Sequence, residues 1–365
     1  MPDFASFFMG GFECSSHRRR DGRRLDVLSG TGHDVHADAD YAALVAMGMR
    51  VARDGIRWHL VEHFPGHYDW SSLRPMAEAA ARRNVQVIWD LCHYGWPDHL
   101  DIWSPAFVAR FADFAAAAAR VLREAGNTPP IFCPVNEISY WAWAGGEAGL
   151  FNPCVEGRGP DLKRQLSRAA IAAIRAIREV EPSALFATAE PLIRVFGEGD
   201  RAEAAAQFHA SQFEAVDMLL GDAAPELGGA PDLVDWVGLN FYPANQWDID
   251  AGTIGLGDHR YVPLRDLLAA AHHRHRKPLF IAETGAENTA RAAWLHYVAS
   301  EIAAAREAGI PVGGICLYPV LDYHGWENGR ACPVGLWGPP GEDGTRALDV
   351  PLANELRRQQ ELHRP

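Results

Sequence analysis

Residues 130–141, PIFCPVNEISYW, form a short apolar run that ends on an amide and a carboxylate. Isoleucine, phenylalanine and cysteine in succession are typical of a strand buried on both faces, as strands of a parallel sheet are. Asn136 and Glu137 follow at the point where this strand ends. Functional groups of parallel α/β proteins gather at the carboxyl ends of the strands. The segment therefore predicts an α/β fold and marks Glu137 as a candidate functional carboxylate.

Seven other segments have the same strand-like composition and alternate with longer Ala-, Arg- and Glu-rich segments of helical period. The predicted strands are residues 4–12, 49–58, 85–92, 130–136, 184–190, 233–242, 278–285 and 312–319. The predicted helices are residues 71–83, 105–125, 164–180, 202–220, 265–275, 290–308 and 353–362. Eight strands that alternate with helical segments, without a dividing linker, predict a single (β/α)8 TIM barrel over residues 1–365. The Gly- and Pro-rich segments 143–160, 243–257 and 326–344 are expected to be loops at its catalytic end.

The composition argues against several classes of function. With a formal net charge of -13, the chain is not expected to bind nucleic acid or an anionic membrane surface. It has no signal-like N-terminal segment and no apolar segment of bilayer-spanning length, so we expect a soluble, cytoplasmic protein. Its six cysteines lack C-x-x-C spacing and predict neither a disulfide framework nor a metal site. No cofactor is expected.

Two basic runs need interpretation. The run HRRR at residues 17–20, together with Arg23 and Arg24, fits either a solvated loop or a contact to an anionic group. The run HHRH at residues 272–275 has a metal-binding composition, but it lies at a helix end without a supporting cysteine. We interpret this second run as a solvated face.

A second candidate carboxylate, Glu283, lies at the end of the seventh predicted strand, in the segment FIAETG. In a barrel, Glu137 and Glu283 would face the same mouth. Two carboxylates there can flank a sugar, one attacking the anomeric carbon and the other protonating the leaving oxygen. Either residue alone also fits a salt-bridged surface group, and Glu190, at the end of the fifth strand, is an alternative acid.

A family resemblance supports the catalytic interpretation. Its motifs, in chain order, are FFMGGFECSSH, GMRVARDGIRW, LCHYGWP, VNE, GLNFY, ETG and LYPVLDYHGW. With these motifs at successive strand ends, nearly the whole chain resembles the retaining β-glycosidases of the (β/α)8 clan. It most resembles a compact, divergent family 1 glycoside hydrolase.

The resemblance implies a role for each matching residue. Glu137 would be the acid/base and Glu283 the nucleophile, with carboxyl groups about 5 Å apart. The other expected site residues are Asn136 at the sugar 2-hydroxyl, Arg53 and Tyr242 beside Glu283, His93 and Asn240 along the same subsite, and His17, Trp326 and Tyr318 around it. Arg53 is expected to lower the pKa of Glu283, whose charge would raise that of Glu137. The resemblance also implies a cis peptide bond between Tyr318 and Pro319.

The chain departs from the family where sugar hydroxyls are recognised. His17 stands where the family has a Gln, and Tyr318, Gly325 and Trp326 stand where it has a Trp and then a Glu-Trp pair. The Glu that clamps two hydroxyls is therefore missing. His17 and the adjacent arginines leave open a glycone that carries a negative or otherwise modified group, and a shorter sugar is also open.

The predicted function is hydrolysis of a small β-glycoside by double displacement through a covalent glycosyl-enzyme intermediate. A transglycosidase with the same machinery and a non-catalytic glycan-binding barrel are the alternatives. The predicted partner is a small-molecule glycoside, and the sequence does not indicate an oligomeric state.

Overall fold

A parallel sheet of eight strand positions forms the centre of the computed structural model, which describes residues 4–127 and 129–363. The predicted domain, residues 1–365, extends beyond these residues at both ends and at residue 128. The strands are β1 (Phe8–Gly11), β2 (Val51–Gly55), β3 (Gln86–Asp90), β4 (Ile131–Cys133), β5 (Leu185–Phe186 and Glu190–Pro191), β6 (Val237–Asn240), β7 (Leu279–Thr284) and β8 (Val312–Leu317).

The strands follow one another around a ring. Each strand from β1 to β4 pairs with the next, β1 also pairs with β8, and β8, β7 and β6 continue in order. The two ends of this sheet are the two pieces of β5, the first pairing with β4 and the second with β6. Between the pieces, the Ala187 amide donates a hydrogen bond to the Phe132 carbonyl, and the Thr188 amide donates one to the Trp236 carbonyl. The fold is therefore an α/β TIM-barrel fold with an interrupted fifth strand.

Helices lie between the strands. They are α1 (Val27–Thr31), α2 (His33–Ala46), α3 (Trp58–Val61), α4 (Arg74–Arg83), α5 (Pro105–Glu124), α6 (Ile138–Trp141), α7 (Gly159–Val180), α8 (Ala202–Ser211), α9 (Glu214–Leu220), α10 (Leu264–His275), α11 (Arg291–Glu307) and α12 (Val350–Leu362). In α5, the Ser104 hydroxyl accepts from the Phe107 amide and Pro105 stands in the first turn, as the sequence predicts. None of the helices in residues 4–127 and 129–363 is both long and apolar enough to cross a bilayer.

Several predicted boundaries were wrong. The predicted helix 202–220 is two helices, α8 and α9, separated at Gln212 and Phe213. The Gln212 side chain turns instead to the backbone of Ile193, with which it makes two hydrogen bonds. Helix α2 was missed because its sequence, HDVHADADYAALVA, mixes acidic and apolar residues without a clear amphipathic stripe.

Alternation along the strands decides which side chains reach the barrel interior. The interior cluster contains Met9, Val51, Ile88, Ile131, Cys133, Trp236, Phe280, Ala282, Cys316 and Tyr318. Because side chains alternate between the faces of a strand, Arg53 follows Val51 inward and Asp90 follows Ile88. The same alternation would turn Glu283 outward after Ala282. A register shift between Ile281 and Glu283 breaks the alternation, and this bulge brings the Glu283 side chain to the mouth.

The segments after β5, β6 and β8 contain small antiparallel or mixed sheets. Residues Arg194–Phe196, Gln246–Asp248 and Gly252–Thr253 form one of them, and Tyr323–His324 pairs with Ala331–Cys332 in another. Residues Trp337–Pro340 pair with Arg346–Leu348. The peptide bond between Tyr318 and Pro319 is cis, as predicted, and so is the bond between Asn152 and Pro153.

Candidate active site

Glu283 is held by a cation and a phenol. The Arg53 guanidinium donates to its Oε1 at 2.5 Å, and the Tyr242 hydroxyl donates to its Oε2 at 2.8 Å. Arg53 is itself fully buried, and Asp90 binds it through both carboxylate oxygens at 3.0 and 2.7 Å. Since Asp90 fixes the guanidinium, Arg53 presents its remaining donors to the site in one orientation.

Asn136 and His93 continue this network. Asn136 Oδ1 accepts from Arg53 at 2.5 Å, and Asn136 Nδ2 lies 2.9 Å from His93 Nε2. His93 Nδ1 lies 3.0 Å from the Asp90 carboxylate. The Asp90 carboxylate accepts from His93 Nδ1 and so fixes the orientation of the imidazole ring. The structure therefore joins three predicted site residues, Arg53, Asn136 and His93, around Asp90, which was not among the predicted site residues.

Glu137 stands in a left-handed backbone conformation directly after β4, with φ 43° and ψ 60°. Its amide donates to the Ala189 carbonyl at 2.8 Å, which fixes this turn. The Tyr94 hydroxyl donates to Glu137 Oε2 at 2.5 Å and the Asn240 amide donates to Oε1 at 2.8 Å. Tyr94 was missed in the sequence. The segment LCHYGWP had been interpreted through His93, and the left-handed backbone at Tyr94, with φ 64°, does not follow from the sequence pattern.

Glu190 supports the turn that carries Glu137. Its two carboxylate oxygens accept from the amides of Ile138 and Ser139 at 2.7 and 3.0 Å. These are the first amides of α6, and a carboxylate is a favourable partner for a helix N-terminus. Burial raises the pKa of Glu190 to about 7, although both backbone bonds oppose the rise. With both oxygens committed to the backbone, Glu190 fits a positioning role better than that of an alternative acid.

The pKa values of the two candidate carboxyl groups are shifted by different neighbours. Burial raises the pKa of Glu137, and the neighbouring Glu283 raises it further, to about 8. Burial also raises the pKa of Glu283, while Arg53 and His93 oppose that rise. Arg53 lowers the pKa of Glu283, as expected, but burial outweighs the cation and the net shift of the Glu283 pKa is upward. Of the two carboxyl groups, only that of Glu283 has a guanidinium at hydrogen-bond distance. When the pair holds a single proton, we therefore place that proton on Glu137.

Four predicted site residues carry buried polar atoms that have no hydrogen-bond partner within the described chain. They are His17 Nδ1, Asn240 Oδ1, Tyr318 OH and Trp326 Nε1. The His17 ring packs against Trp326 with centroids 4.7 Å apart. Buried polar groups are nearly always paired in folded proteins. Unpaired donors and acceptors around the mouth are suited to a ligand with many hydroxyl groups.

The basic run after β1 does not form a free cationic patch. His17 is buried, and burial together with His93 lowers its pKa to about 3, so its ring is neutral. Four of the five arginines of the run pair with acids within the protein, Arg18 and Arg24 with Asp98, Arg19 with Asp21 and Arg20 with Glu156. The alternative of a solvated loop was wrong for His17, and the paired arginines do not favour the anion-binding alternative.

Two other predictions concern residues outside these contacts. The run HHRH ends α10, but its last histidine, His275, is buried 3.4 Å from Asp217, so the predicted solvated face was wrong for it. Gly325 lies in the turn of the hairpin after β8, where its amide donates to the Arg330 carbonyl. A Cβ atom at Gly325 would contact the Cys332 sulfur at 3.3 Å.

One group of side chains has the composition of a metal site. The Cys14 sulfur lies 3.5 Å from Asp90 and 3.1 Å from His93 Nδ1. Burial and the nearby acids hold the pKa of the Cys14 thiol well above its usual range, and Asp90 is already bound by Arg53. A protonated thiol and a neutralised carboxylate are poor metal ligands, so we interpret the group as a hydrogen-bonded support for His93.

Comparison by sequence gives no relatives: no protein-family model and no curated protein matches the chain. Comparison of structures does. A β-glucosidase from Thermotoga maritima in complex with deoxynojirimycin is 15% identical over 99% of both chains, with a TM-score of 0.79. The AHE enzyme from Alicyclobacillus herbarius is 18% identical over 99% of this chain and 100% of its own, with a TM-score of 0.78. A family 1 β-glucosidase from T. maritima is 15% identical over 99% of both chains, also with a TM-score of 0.78.

The chain has the fold of the family 1 β-glucosidases. At these identities the likeness concerns the fold, and the chemistry must be assigned from the side chains at the mouth. In this β-glucosidase fold, Glu137 follows β4 and Glu283 lies in β7. Arg53 of β2 and Asn240 of β6 bind them, and Asp90 of β3 holds Arg53.

Proposed function

We propose that the protein is a retaining β-glycosidase that hydrolyses small β-glycosides. The observation that supports this proposal most is the different setting of two carboxyl groups at one barrel mouth. Glu283 is bound by Arg53 and Tyr242, whereas Glu137 has a pKa raised to about 8 by burial and by Glu283. This is the division between an ionised nucleophile and a protonated acid that retaining glycosidases use.

In the first step, the Glu283 carboxylate attacks the anomeric carbon, and the bond from that carbon to the leaving oxygen breaks. Glu137 donates its proton to that oxygen, so the aglycone leaves as a neutral alcohol. The product is a glycosyl ester on Glu283. Esterification removes the negative charge of Glu283, and with it one of the causes that raise the pKa of Glu137.

In the second step, the ionised Glu137 takes a proton from water as the water oxygen attacks the anomeric carbon. The ester bond breaks, Glu283 recovers its carboxylate and Glu137 is protonated again. Two inversions at one carbon retain the β configuration. Tyr94 and Asn240 hold the Glu137 carboxyl through both steps.

A transglycosidase is the second candidate, because an alcohol can replace water in the second step without any change in these residues. A non-catalytic glycan-binding barrel agrees less well with the structure. Burying the charged Arg53 between Asp90 and Glu283 costs desolvation free energy. Such buried charged groups are found most often where an ionised side chain has a function, as a nucleophilic Glu283 would have.

The test is a panel of chromogenic aryl β-glycosides with and without alcohol acceptors, applied to the wild type and two variants. Glu283→Gln should abolish turnover, since no other positioned carboxylate can form the ester. Glu137→Ala should retain the first step for substrates with very good leaving groups, and added azide should then yield a β-glycosyl azide. Faster consumption with alkyl glycoside formation in the presence of alcohols would favour the transglycosidase.

Glu287→Gln is a matched control, because Glu287 follows the same strand but forms a surface ion pair with Arg330. This variant should have the activity of the wild type. An active Glu283→Gln enzyme, or a wild type that cleaves none of the glycosides, would contradict the proposed function.

A further inference from the structure

A third carboxyl group, Glu13, lies at the mouth of the barrel and has no part in the proposed mechanism. It comes two residues after the end of β1, and only 6% of its surface is exposed. Its Oε1 accepts from the Ser15 amide at 2.9 Å and lies 3.8 Å from His93 Nε2. Within the described residues, Oε2 accepts no hydrogen bond and is not among the fully buried atoms. One oxygen is therefore fixed by the backbone, and the other is available to a ligand.

The neighbours of Glu13 place it at the same end of the barrel as the two proposed catalytic residues. Strand β1 lies between β2, which carries Arg53, and β8, which leads to Tyr318. The Tyr318 ring packs on Gly11, where a Cβ atom would lie only 2.1 Å from the ring. Its hydroxyl is buried without a partner. The charge of Glu13 also contributes to the raised pKa values of Tyr318 and Glu283.

Among the described residues, only His93 lies at ion-pair distance from Glu13, so the loop after β1 supplies no cation to this carboxylate. His17 is neutral, and Arg18, Arg20 and Arg24 are each paired with Asp98 or Glu156. A carboxylate with one free oxygen, next to an unpaired phenol, is an acceptor and a donor for neutral hydroxyl groups. The same carboxylate repels an anion.

We propose that the free oxygen of Glu13 accepts hydrogen bonds from glycone hydroxyl groups and selects neutral, hydroxyl-rich sugars against glycones that carry a carboxylate or a sulfate. This inference rests on the proposed glycosidase function. It supplies from strand β1 the hydroxyl acceptor that the sequence lacks at Gly325 in the hairpin after β8. It also opposes the anionic glycone that the basic run had left open.

The test compares the wild type with Glu13→Gln on an aryl β-glucoside and the corresponding aryl β-glucuronide. Glutamine keeps the oxygen that accepts from Ser15 but removes the charge. Loss of a charge-assisted bond should lower kcat/KM for the glucoside by roughly 10- to 100-fold. The ratio of glucoside to glucuronide kcat/KM should fall as well, because the repulsion of the anion is relieved. Glu156→Gln, an exposed acid paired with Arg20, should leave both values unchanged.

A set of deoxy substrates identifies the bond directly. Removing the hydroxyl group that donates to Glu13 should lower kcat/KM in the wild type. The same removal should lower kcat/KM much less in Glu13→Gln. If Glu13→Gln fails to fold, Glu13→Asp replaces it, since aspartate keeps the charge but shortens the reach. That variant should lose activity on the glucoside and still reject the glucuronide.

An unchanged glucoside-to-glucuronide ratio in Glu13→Gln, or equal losses on every deoxy sugar in both enzymes, would overturn the inference. If Glu283→Gln is inactive at the same time, the proposed function stands and only the role of Glu13 is wrong. A wild type that prefers the glucuronide would also show that the role of Glu13 is wrong, and it would leave the proposed function standing. A wild type inactive on all glycosides would contradict the proposed function, and this inference with it.

Discussion

At the scale of single residues, the proton on Glu137 should set the alkaline limit of activity. Its pKa is raised to about 8, and only its protonated form can assist a poor leaving group. We expect kcat/KM for an alkyl β-glycoside to fall as the pH rises through about 8. For substrates with very good leaving groups, this alkaline limb of the pH profile, the fall of kcat/KM above about pH 8, should be weak. The measurement is a pair of pH profiles for the two substrate types.

Replacing Tyr94 with Phe tests the cause of this limit. The Tyr94 hydroxyl donates to Glu137, and that bond lowers the pKa which burial raises. Its removal should move the alkaline limb to higher pH. Tyr68→Phe is the control, because Tyr68 lies between α3 and α4 and accepts from Arg110 of α5, so its loss should leave the profile in place. A limb that moves to lower pH in Tyr94→Phe would show that the hydroxyl does not stabilise the ionised acid.

At the scale of elements, β5 positions the acid through Glu190. Glu190→Gln replaces one of the two acceptors for the α6 amides with a donor, so the turn at Glu137 should shift. A misplaced acid can cost about 100-fold, and we expect a loss of kcat approaching this for alkyl glycosides. Loss should be small for activated aryl glycosides. Equal losses on both substrate types would instead indicate general unfolding.

The control for Glu190→Gln is Glu181→Gln. Glu181 is also buried, but it lies just before β5 at the opposite end of the barrel, where it accepts from Ser183. Its replacement should affect stability and not the dependence on leaving group. If both variants have the same dependence on leaving group, Glu190 does not position the acid.

A buried ion network ties α2 to β2 and should control stability. His33 lies 2.9 Å from both Asp40 and Asp54, and Arg346 binds Asp40. Burial alone would lower the pKa of His33, but the two aspartates raise it to about 9. His33→Gln leaves the buried Asp54 without its cation, whereas Asp40 keeps Arg346, and should lower the free energy of unfolding by about 3 to 5 kcal/mol at pH 6.

The pH dependence of this effect has a definite sign. A histidine whose folded pKa exceeds its unfolded value stabilises fully below about 6.5 and loses that contribution as pH rises through about 9. Denaturant unfolding at pH 6 and pH 9.5 should therefore show a smaller difference between His33→Gln and the wild type at the higher pH. The exposed His273→Gln should change neither value. A larger difference at pH 9.5 would contradict a charged His33.

The elements also show what a sequence can and cannot predict. The β-strand and helix alternation was enough for the barrel, because eight similar βα units have few other solutions. The same pattern could not reveal the bulge before Glu283 or the split in β5, since each depends on register with neighbouring strands. Glu190 was visible as an acid at a strand end. Its bonds to the α6 amides exist only once β4 and β5 lie side by side.

At the scale of the whole molecule, we propose that residues 1–365 form one domain. One contiguous apolar cluster reaches from Leu44 in α2 to Leu356 in α12, and α11 packs against α12. Because the ring needs every βα unit to keep its strands paired, partial unfolding should expose the whole core. Calorimetry and loss of activity should follow one transition. Two separated transitions would contradict the single domain.

The barrel itself should determine the stereochemistry. Strands β4 and β7 lie three positions apart around the ring, so Glu137 and Glu283 approach from different sides of one mouth. The charge of each raises the pKa of the other group or of its partners, as expected for carboxyl groups in close proximity. A separation of about 5 Å leaves no room for a water between nucleophile and sugar, whereas about 9 Å would accommodate one. We therefore expect the β-anomer as the first product when hydrolysis of an aryl β-glycoside is followed by proton NMR. The α-anomer as first product would mean that Glu283 activates water instead of forming an ester, and the double displacement would have to be abandoned.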